Sequence, residues 1–274
     1  MSLVMLELFC IVCLLYALFS PRQLFRTNIP VHSCDSCIWD IFLLKIYSYS
    51  SCRTAESLRN CVIERSVSVP WYTSAHMAVV IVGLGNPGGE YAGTRHNAGR
   101  MAVELVAKQE GFDEFKLKKT AQALVTSGDI DGVPTVLVLP ETFVNLSGKS
   151  IIALVRSKKA AEKLVVLRDD LDLPLGAIKM TFGRGSGGHK GVESIARALK
   201  TKDFVQIKIG ISPATPKGKL RKPSGEEKVV KHVIGKFSPK EEPILKKVLK
   251  NAAEAACLFA ANGIEDAMQF ANTK

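Results

Sequence analysis

Beyond residue 77 the apolar residues follow two periods that predict alternating strands and helices. Residues 78–82 form a continuous apolar run that ends at Gly83, which is the pattern of a strand buried on both faces. Apolar residues then recur at i, i+3, i+4, i+7 and i+8 from Ala98. This period predicts a helix, for which Asn97 is available as the N-cap.

Later segments continue the alternation and define a fold class. Residues 124–130 and 133–139 are strand-like runs separated by Asp131-Gly132, a two-residue hairpin signal. The sequence also predicts helices after Gly148, at 192–199 and at 244–259 up to Gly263, and strands at 164–167 and 205–211, the last half-buried. We therefore expect an α/β fold with one three-layer domain at 77–274, in which helices flank a mixed twisted sheet.

Positive charge is concentrated in that predicted domain. The chain has 37 Lys and Arg and 26 Asp and Glu; residues 1–76 hold six and five of them, so the formal net charge is +1 there and +10 over 77–274. A flexible basic loop rich in proline and glycine is predicted at 214–228. Such charge favours contact with phosphate, but it leaves both an enzyme and a non-catalytic RNA-binding module open.

The first 76 residues differ from the domain in composition. They hold six of the seven cysteines, two pairs of them with CxxC spacing. The first pair lies in an apolar run, which is a poor setting for a zinc site, so we expect no metal. Residues 3–19 are apolar apart from Glu7, slightly short for a membrane span, and lack the flanks of a secretory signal. We interpret 1–76 as a disordered extension, a targeting or anchoring segment, or an incorrectly assigned start. Membrane contact is left open for 3–19 alone.

A glycine-rich stretch follows the first predicted strand. Residues 83–88 fit the G-x-G-x-x-G pattern of dinucleotide sites. In those sites the glycines open directly into a helix, whereas here a polar loop separates the glycines from the helix. Those sites also have an acidic residue that binds the ribose at the end of a second strand, but the candidates here, Glu104 and Glu110, fall inside the helix. A tight turn alone would explain the glycines but not the polar residues that follow, which are Asn86, Tyr91, Arg95, His96 and Asn97.

Four segments, taken in order, resemble a known family. They are Val82-Gly-Leu-Gly-Asn-Pro-Gly-Gly-Glu-Tyr-Ala-Gly-Thr-Arg-His-Asn-Ala-Gly99, Pro140-Glu-Thr-Phe-Val-Asn-Leu-Ser-Gly-Lys149, Asp169-Asp-Leu-Asp-Leu-Pro174 and Gly183-Arg-Gly-Ser-Gly-Gly-His-Lys-Gly191. The chain from 77 to 274 is similar to peptidyl-tRNA hydrolases of the bacterial type. The resemblance implies a single α/β domain that needs no metal or cofactor and hydrolyses the ester between a peptide and the 3′ ribose of its tRNA.

The resemblance also implies roles for particular residues. His96 would be the catalytic base and Asp169 its orienting carboxylate. Asn86 and Asn145 would bind the peptide, and Tyr91 would line the same cleft. His189 would lie at the cleft mouth near the 3′ end of the tRNA, although a histidine at this position could also simply cap the next helix. We expect the tRNA to be bound by Lys179, Arg184, Lys190 and Lys208, together with the loop 217–222.

Three positions depart from the bacterial pattern. Val144 stands where methionine is expected, which alters only packing. Lys190 replaces an asparagine and cannot accept a hydrogen bond, although its charge suits phosphate. Lys208 replaces an arginine and loses the bidentate fork.

The residue types at the site suit ester hydrolysis. An ester needs no covalent nucleophile, and a histidine has a pKa close to the working pH of a general base. Ser147 and Ser186 do not lie in a G-x-S-x-G elbow, which counts against a serine hydrolase. A non-catalytic RNA-binding module would need stacking aromatics, but both tryptophans precede residue 77, which favours the enzyme. We expect a monomer in the cytoplasm or the mitochondrion.

Overall fold

Strand β1, Val79–Gly83, lies in the interior of a seven-stranded mixed sheet. A computed structural model describes residues 78–213 and 220–273, all of which belong to the unit Thr73–Lys274. The predictions for 1–76, and for 214–219 within the basic loop, lie outside the described residues. None of the described helices has the length and hydropathy needed to cross a membrane.

Seven strands form the sheet in the order β2-β3-β4-β1-β5-β7-β6. The other six are β2 Lys116–Lys118, β3 Ala123–Ile130, β4 Val133–Pro140, β5 Leu164–Pro174, β6 Ile178–Phe182 and β7 Val205–Ser212. Strands β4, β1, β5 and β7 are parallel, and β2, β3 and β6 are antiparallel to their neighbours. The predicted hairpin is confirmed, with positive φ at Asp131 and Gly132.

Helices cover both faces of the sheet, as the three-layer prediction requires. On one face Ile81 packs with α1 Ala98–Gln109, α6 Glu242–Asn262 and α7 Ile264–Asn272. On the other face Val80 and Val82 pack with α2 Ser147–Ile152, α3 Lys158–Ala161 and α4 Lys190–Leu199. Helix α5, Glu226–Val233, has no fully buried residue. Successive β1 residues point to opposite faces, which is why a short, wholly apolar run forms this strand.

Some elements differ from their predictions for reasons of packing. The alternation along β7 predicts one exposed face, but all of β7 except Lys208 is buried. The expected exposed face is covered by neighbouring backbone: Gln206 donates to the carbonyl oxygen of Arg184, and Ser212 donates to that of Leu171. Strand β5 continues past the apolar run at 164–167 to Pro174. Helix α5 occupies the end of the predicted basic loop. Gly263 ends α6 with φ 92°, and α7 begins directly after it.

Candidate active site

Close backbone contacts place the start of α1 against β1 and β5. A Cβ added at Gly99 would lie 2.3 Å from the carbonyl oxygen of Leu167, and one at Gly83 would lie 2.6 Å from the carbonyl oxygen of Gly99. A Cβ at Gly85 would lie 2.5 Å from Oδ1 of Asn97. These glycines therefore allow a helix to pack on a strand, which is a different use from the phosphate turn of a dinucleotide site.

Asp169 accepts hydrogen bonds from two histidines through a single oxygen. Nδ1 of His96 lies 2.9 Å from Asp169 Oδ1, and Nε2 of His189 lies 3.0 Å from the same atom. His96 belongs to the 3-10 turn Arg95–Asn97 that leads into α1, and Asp169 is a buried residue of β5. The fold thus joins His96 to Asp169, as the resemblance implies, and adds His189 to the same carboxylate.

The contacts of His189 determine which of its nitrogens carries the proton. Its Nδ1 accepts hydrogen bonds from the backbone N–H groups of Gly191 and Val192, at 3.2 and 3.4 Å, and so caps the first turn of α4. A nitrogen that accepts these bonds must be unprotonated, so the single ring proton is on Nε2 and points to Asp169. His189 therefore does cap the helix, which was the second of the two interpretations of this residue.

Burial and charge set the protonation of the two histidines differently. Burial alone would lower the pKa of His96, but the charge of Asp169 and its hydrogen bond outweigh burial and raise it. Burial lowers the pKa of His189. The charge of Asp169 and its hydrogen bond raise this pKa, whereas the charges of His96 and Arg168 lower it further. Burial would raise the pKa of Asp169, but the two histidines lower it far below its usual range. At neutral pH the site therefore holds a carboxylate and an uncharged His189.

The asparagines form a second network beside the histidines. The side chain of Asn97 bonds both the N–H and the carbonyl oxygen of Asn86, at 2.9 and 3.0 Å, instead of capping α1 as predicted. Oδ1 of Asn86 then accepts from the N–H of Val144 at 2.9 Å. Since its oxygen is engaged, Asn86 keeps its NH2 group for a ligand. The next residue, Asn145, is exposed and makes no side-chain hydrogen bond within the described residues.

Tyr91 is half-buried in the turn Gly89–Tyr91, on the loop between β1 and His96. The carbonyl oxygen of Tyr91 accepts hydrogen bonds from the N–H of Thr94 at 3.1 Å and from the hydroxyl of Thr94 at 2.7 Å. The backbone of Tyr91 therefore helps to shape this loop, and the role of its ring in the cleft stays a prediction.

Three of the four predicted tRNA-binding residues line one groove. Lys179 and Lys208 are directly opposite each other on β6 and β7, and Arg184 follows β6. We call this surface the basic groove; its lining is Lys179, Met180, Thr181, Phe182, Arg184, Lys208, Met268 and Asn272. Lys190 lies apart, next to His189, with its Nζ 3.9 Å from Glu226. Of the loop 217–222, Lys222 pairs with Asp172 at 2.5 Å, and residues 217–219 lie outside the described part of the chain.

Sequence reasoning missed Arg168 and, although it noted Arg95 among the polar residues, missed the partner of Arg95. Arg168 is 2% exposed and pairs with Asp170, with Nη1 and Oδ2 3.1 Å apart. The signal for it was an arginine at the end of an apolar run, directly before Asp169. Arg95 pairs with Glu241 at 2.8 Å. Burial would raise the pKa of Glu241, but the hydrogen bonds from Arg95 and Ser238 lower it to about 2. The two residues are 146 positions apart, so no local pattern indicates the pair.

The histidines and the carboxylate also resemble a metal-binding group. One donor atom from each of His96, Asp169 and His189 can be chosen so that all lie within 4.8 Å of one another. The lone pair of His189 is used by the α4 backbone, however, and its Nε2 carries a proton. Binding a metal through Nε2 would break the helix cap, so these residues fit a hydrogen-bonded proton site better than a metal site.

Comparison with known proteins identifies relatives that cover the described domain. A family model described as peptidyl-tRNA hydrolase matches residues 80–274. The peptidyl-tRNA hydrolase of Syntrophotalea carbinolica is 39% identical over 197 residues, which are 71% of this chain and 97% of the relative. That of Dehalococcoides mccartyi is 40% identical over 192 residues, or 69% of this chain and 96% of the relative. The crystal structure of peptidyl-tRNA hydrolase from Acinetobacter baumannii superposes with a TM-score of 0.64 at 33% identity, covering 73% of this chain and 97% of that one.

Proposed function

Because the chain belongs to the peptidyl-tRNA hydrolase family, we propose that His96, Asp169 and the asparagines beside them carry out its reaction. The chain hydrolyses peptidyl-tRNA, which separates the peptide from its tRNA. The family also implies peptidyl-tRNA as the substrate that the site must accommodate. The hydrolysis of such an ester calls for a base, a group that orients the base, and donors for the carbonyl oxygen.

His96 acts as the general base through Nε2. Its Nδ1 is held by Asp169, so the proton of the neutral ring is on Nδ1 and the lone pair of Nε2 is free to accept a proton from water. The water oxygen attacks the ester carbonyl carbon, the bond to the ribose oxygen breaks, and the proton passes from His96 to that oxygen. Asp169 stabilises the charged ring in between. His189 keeps Asp169 in place from the opposite side.

The asparagines bind the peptide side of the substrate. The free NH2 of Asn86 and the exposed amide of Asn145 can donate to a peptide carbonyl or to the oxyanion that forms during attack. Asn145 follows directly after Val144, whose N–H is bonded to Asn86. This bond holds the two amides on adjacent loops at the same end of the sheet.

The tRNA is held by positive charge beside the site. Lys179, Lys208 and Arg184 line the basic groove, where their positive charges can contact phosphates. Lys190 contributes from the start of α4, close to His189 and away from that groove. One chain supplies all of these groups, so we propose that the enzyme works as a monomer. We also propose that it acts in the cytoplasm or the mitochondrion, where ribosomes release unfinished peptides that are still joined to tRNA.

The observation that carries this proposal is the buried Asp169 oxygen shared by two histidines. The test is hydrolysis of N-acylated aminoacyl-tRNA by purified His96→Ala, which should lose activity while keeping its circular dichroism spectrum. His232→Ala is the matched control, because it removes a histidine bonded to the Ile211 carbonyl outside the site. Turnover close to wild type in His96→Ala would rule out this mechanism.

A further inference from the structure

Arg168 is a buried cation in the strand that carries Asp169. Its Nη1 donates to the Asp169 carbonyl oxygen at 2.9 Å and lies 3.1 Å from Oδ2 of Asp170. Its Nε and Nη2 have no hydrogen-bond partner among the described residues. A buried guanidinium with two of its three nitrogens unpaired is destabilising, so fold stability gives no reason for a charge at this position.

The charge of Arg168 lies between two parts of the site. Its counterion Asp170 is shared, because Oδ2 is also 3.7 Å from Nζ of Lys208 in the basic groove. On the other side Nη2 lies beneath Gly187, where an added Cβ would be 3.5 Å away. His189 follows two residues after Gly187 and begins α4. The guanidinium therefore lies under the loop that leads into His189, and its charge acts on that histidine, while part of the neutralising charge of Asp170 goes to β7.

We propose that Arg168 is a positioning residue that keeps His189 uncharged, with its ring proton on Nε2, and so keeps Asp169 bonded to both histidines. The inference rests on the proposed function, in which Asp169 orients His96, but it concerns the charge state of His189. The charged groups that act directly on His189 are Asp169, His96 and Arg168, and Asp170 acts on it indirectly, by neutralising part of the charge of Arg168. Asp169 favours a second proton on the ring, and the positive charge of Arg168 opposes it.

A second proton on His189 would disrupt the start of α4. It would have to sit on Nδ1, which now accepts from the N–H groups of Gly191 and Val192. Two donors would then face each other at the helix N-terminus, where a positive charge is also unfavourable. By opposing this proton, Arg168 preserves both the helix cap and the hydrogen bond from His189 to Asp169.

The test is to measure the pKa of His189 in the full chain, with NMR of the ring nitrogens as the readout of its titration. Arg168→Met removes the cation, Asp170→Asn removes its counterion, and the double variant removes both. We expect the pKa of His189 to rise in Arg168→Met, to fall in Asp170→Asn, and to return close to the wild-type value in the double variant. Arg168→Lys keeps the charge without the planar fork and should leave the titration near wild type.

A packing role for Arg168 would not produce shifts of opposite sign that cancel when both charges are removed. An unchanged titration in Arg168→Met, or a double variant that keeps the shift of the single one, would overturn the proposal. If Arg168→Met does not fold, Asp170→Asn decides the matter, since an unchanged pKa there has the same meaning. The readout is independent of turnover, so an active His96→Ala variant would contradict the proposed function without affecting this result.

Discussion

Replacing Asp169 with asparagine tests whether His189 determines the hydrogen bonding of the whole site. Both histidines bond Oδ1, so an amide oxygen in that place can accept both bonds. An asparagine could also turn its NH2 toward the rings, which would force His96 into the other tautomer. His189 prevents that orientation, because its Nδ1 already accepts from α4 and its Nε2 must donate.

The loss expected for Asp169→Asn is therefore electrostatic. Two unit charges about 4 Å apart attract each other by about 4 kcal/mol at an effective dielectric constant near 20. With roughly half of a proton transferred to His96 in the transition state, the variant should lose about 2 kcal/mol, or about 30-fold in kcat. A histidine held in the wrong tautomer would instead lose about 10⁴-fold.

The assay is steady-state hydrolysis of N-acylated aminoacyl-tRNA by Asp169→Asn, by His189→Ala and by the double variant. In the double variant the amide is free to turn, so its loss should exceed the product of the two single losses. As the proposed general base, His96 must be neutral, so activity should fall as the pH drops through its pKa. Asp169 raises that pKa, so Asp169→Asn should move the acid limb to lower pH. A loss near 10⁴-fold in Asp169→Asn alone, or single losses that simply multiply, would refute the reasoning.

Four further predictions concern substrate binding, packing and cofactors. Asn86→Ala should erode the preference for N-acylated over free aminoacyl-tRNA, measured as the ratio of kcat/KM values, because it removes the amide that we propose pairs with a peptide group. Lys208→Ala should raise KM and flatten its salt dependence with little change in kcat; a loss of turnover at saturating tRNA would contradict this. Gly99→Ala should lower stability by about 1 to 3 kcal/mol or more in thermal unfolding, whereas Gly89→Ala, with nothing within 4 Å of its Cβ, should be nearly neutral. Residues 77–274 expressed alone should be active in excess EDTA; loss of activity that a divalent ion restores would reveal a cofactor.

The sequence by itself determined the layers of the fold and the position of the site along the chain. Apolar periodicity and the Asp131-Gly132 turn depend on neighbouring residues, so the central strand, the hairpin and the main helices could be predicted. Strands β2 and β6 were missed at the two edges of the sheet, because all three residues of β2 are exposed and the alternation along β6 lasts only five residues. The motif around His96 and Asp169 indicated the reaction before any distance was known.

Only the tertiary structure decided how the polar side chains pair. Asn97 was assigned as a helix cap, but the loop brings its side chain to the backbone of Asn86, 11 residues away. His96 and Asp169 are 73 residues apart and meet because β1 and β5 are parallel neighbours. The partners of Arg168 are set in the same way, by where β7 and the glycine loop lie. A hydrogen bond needs its donor and acceptor within about 3 Å. Residues far apart in sequence reach that separation only through the order and register of the strands.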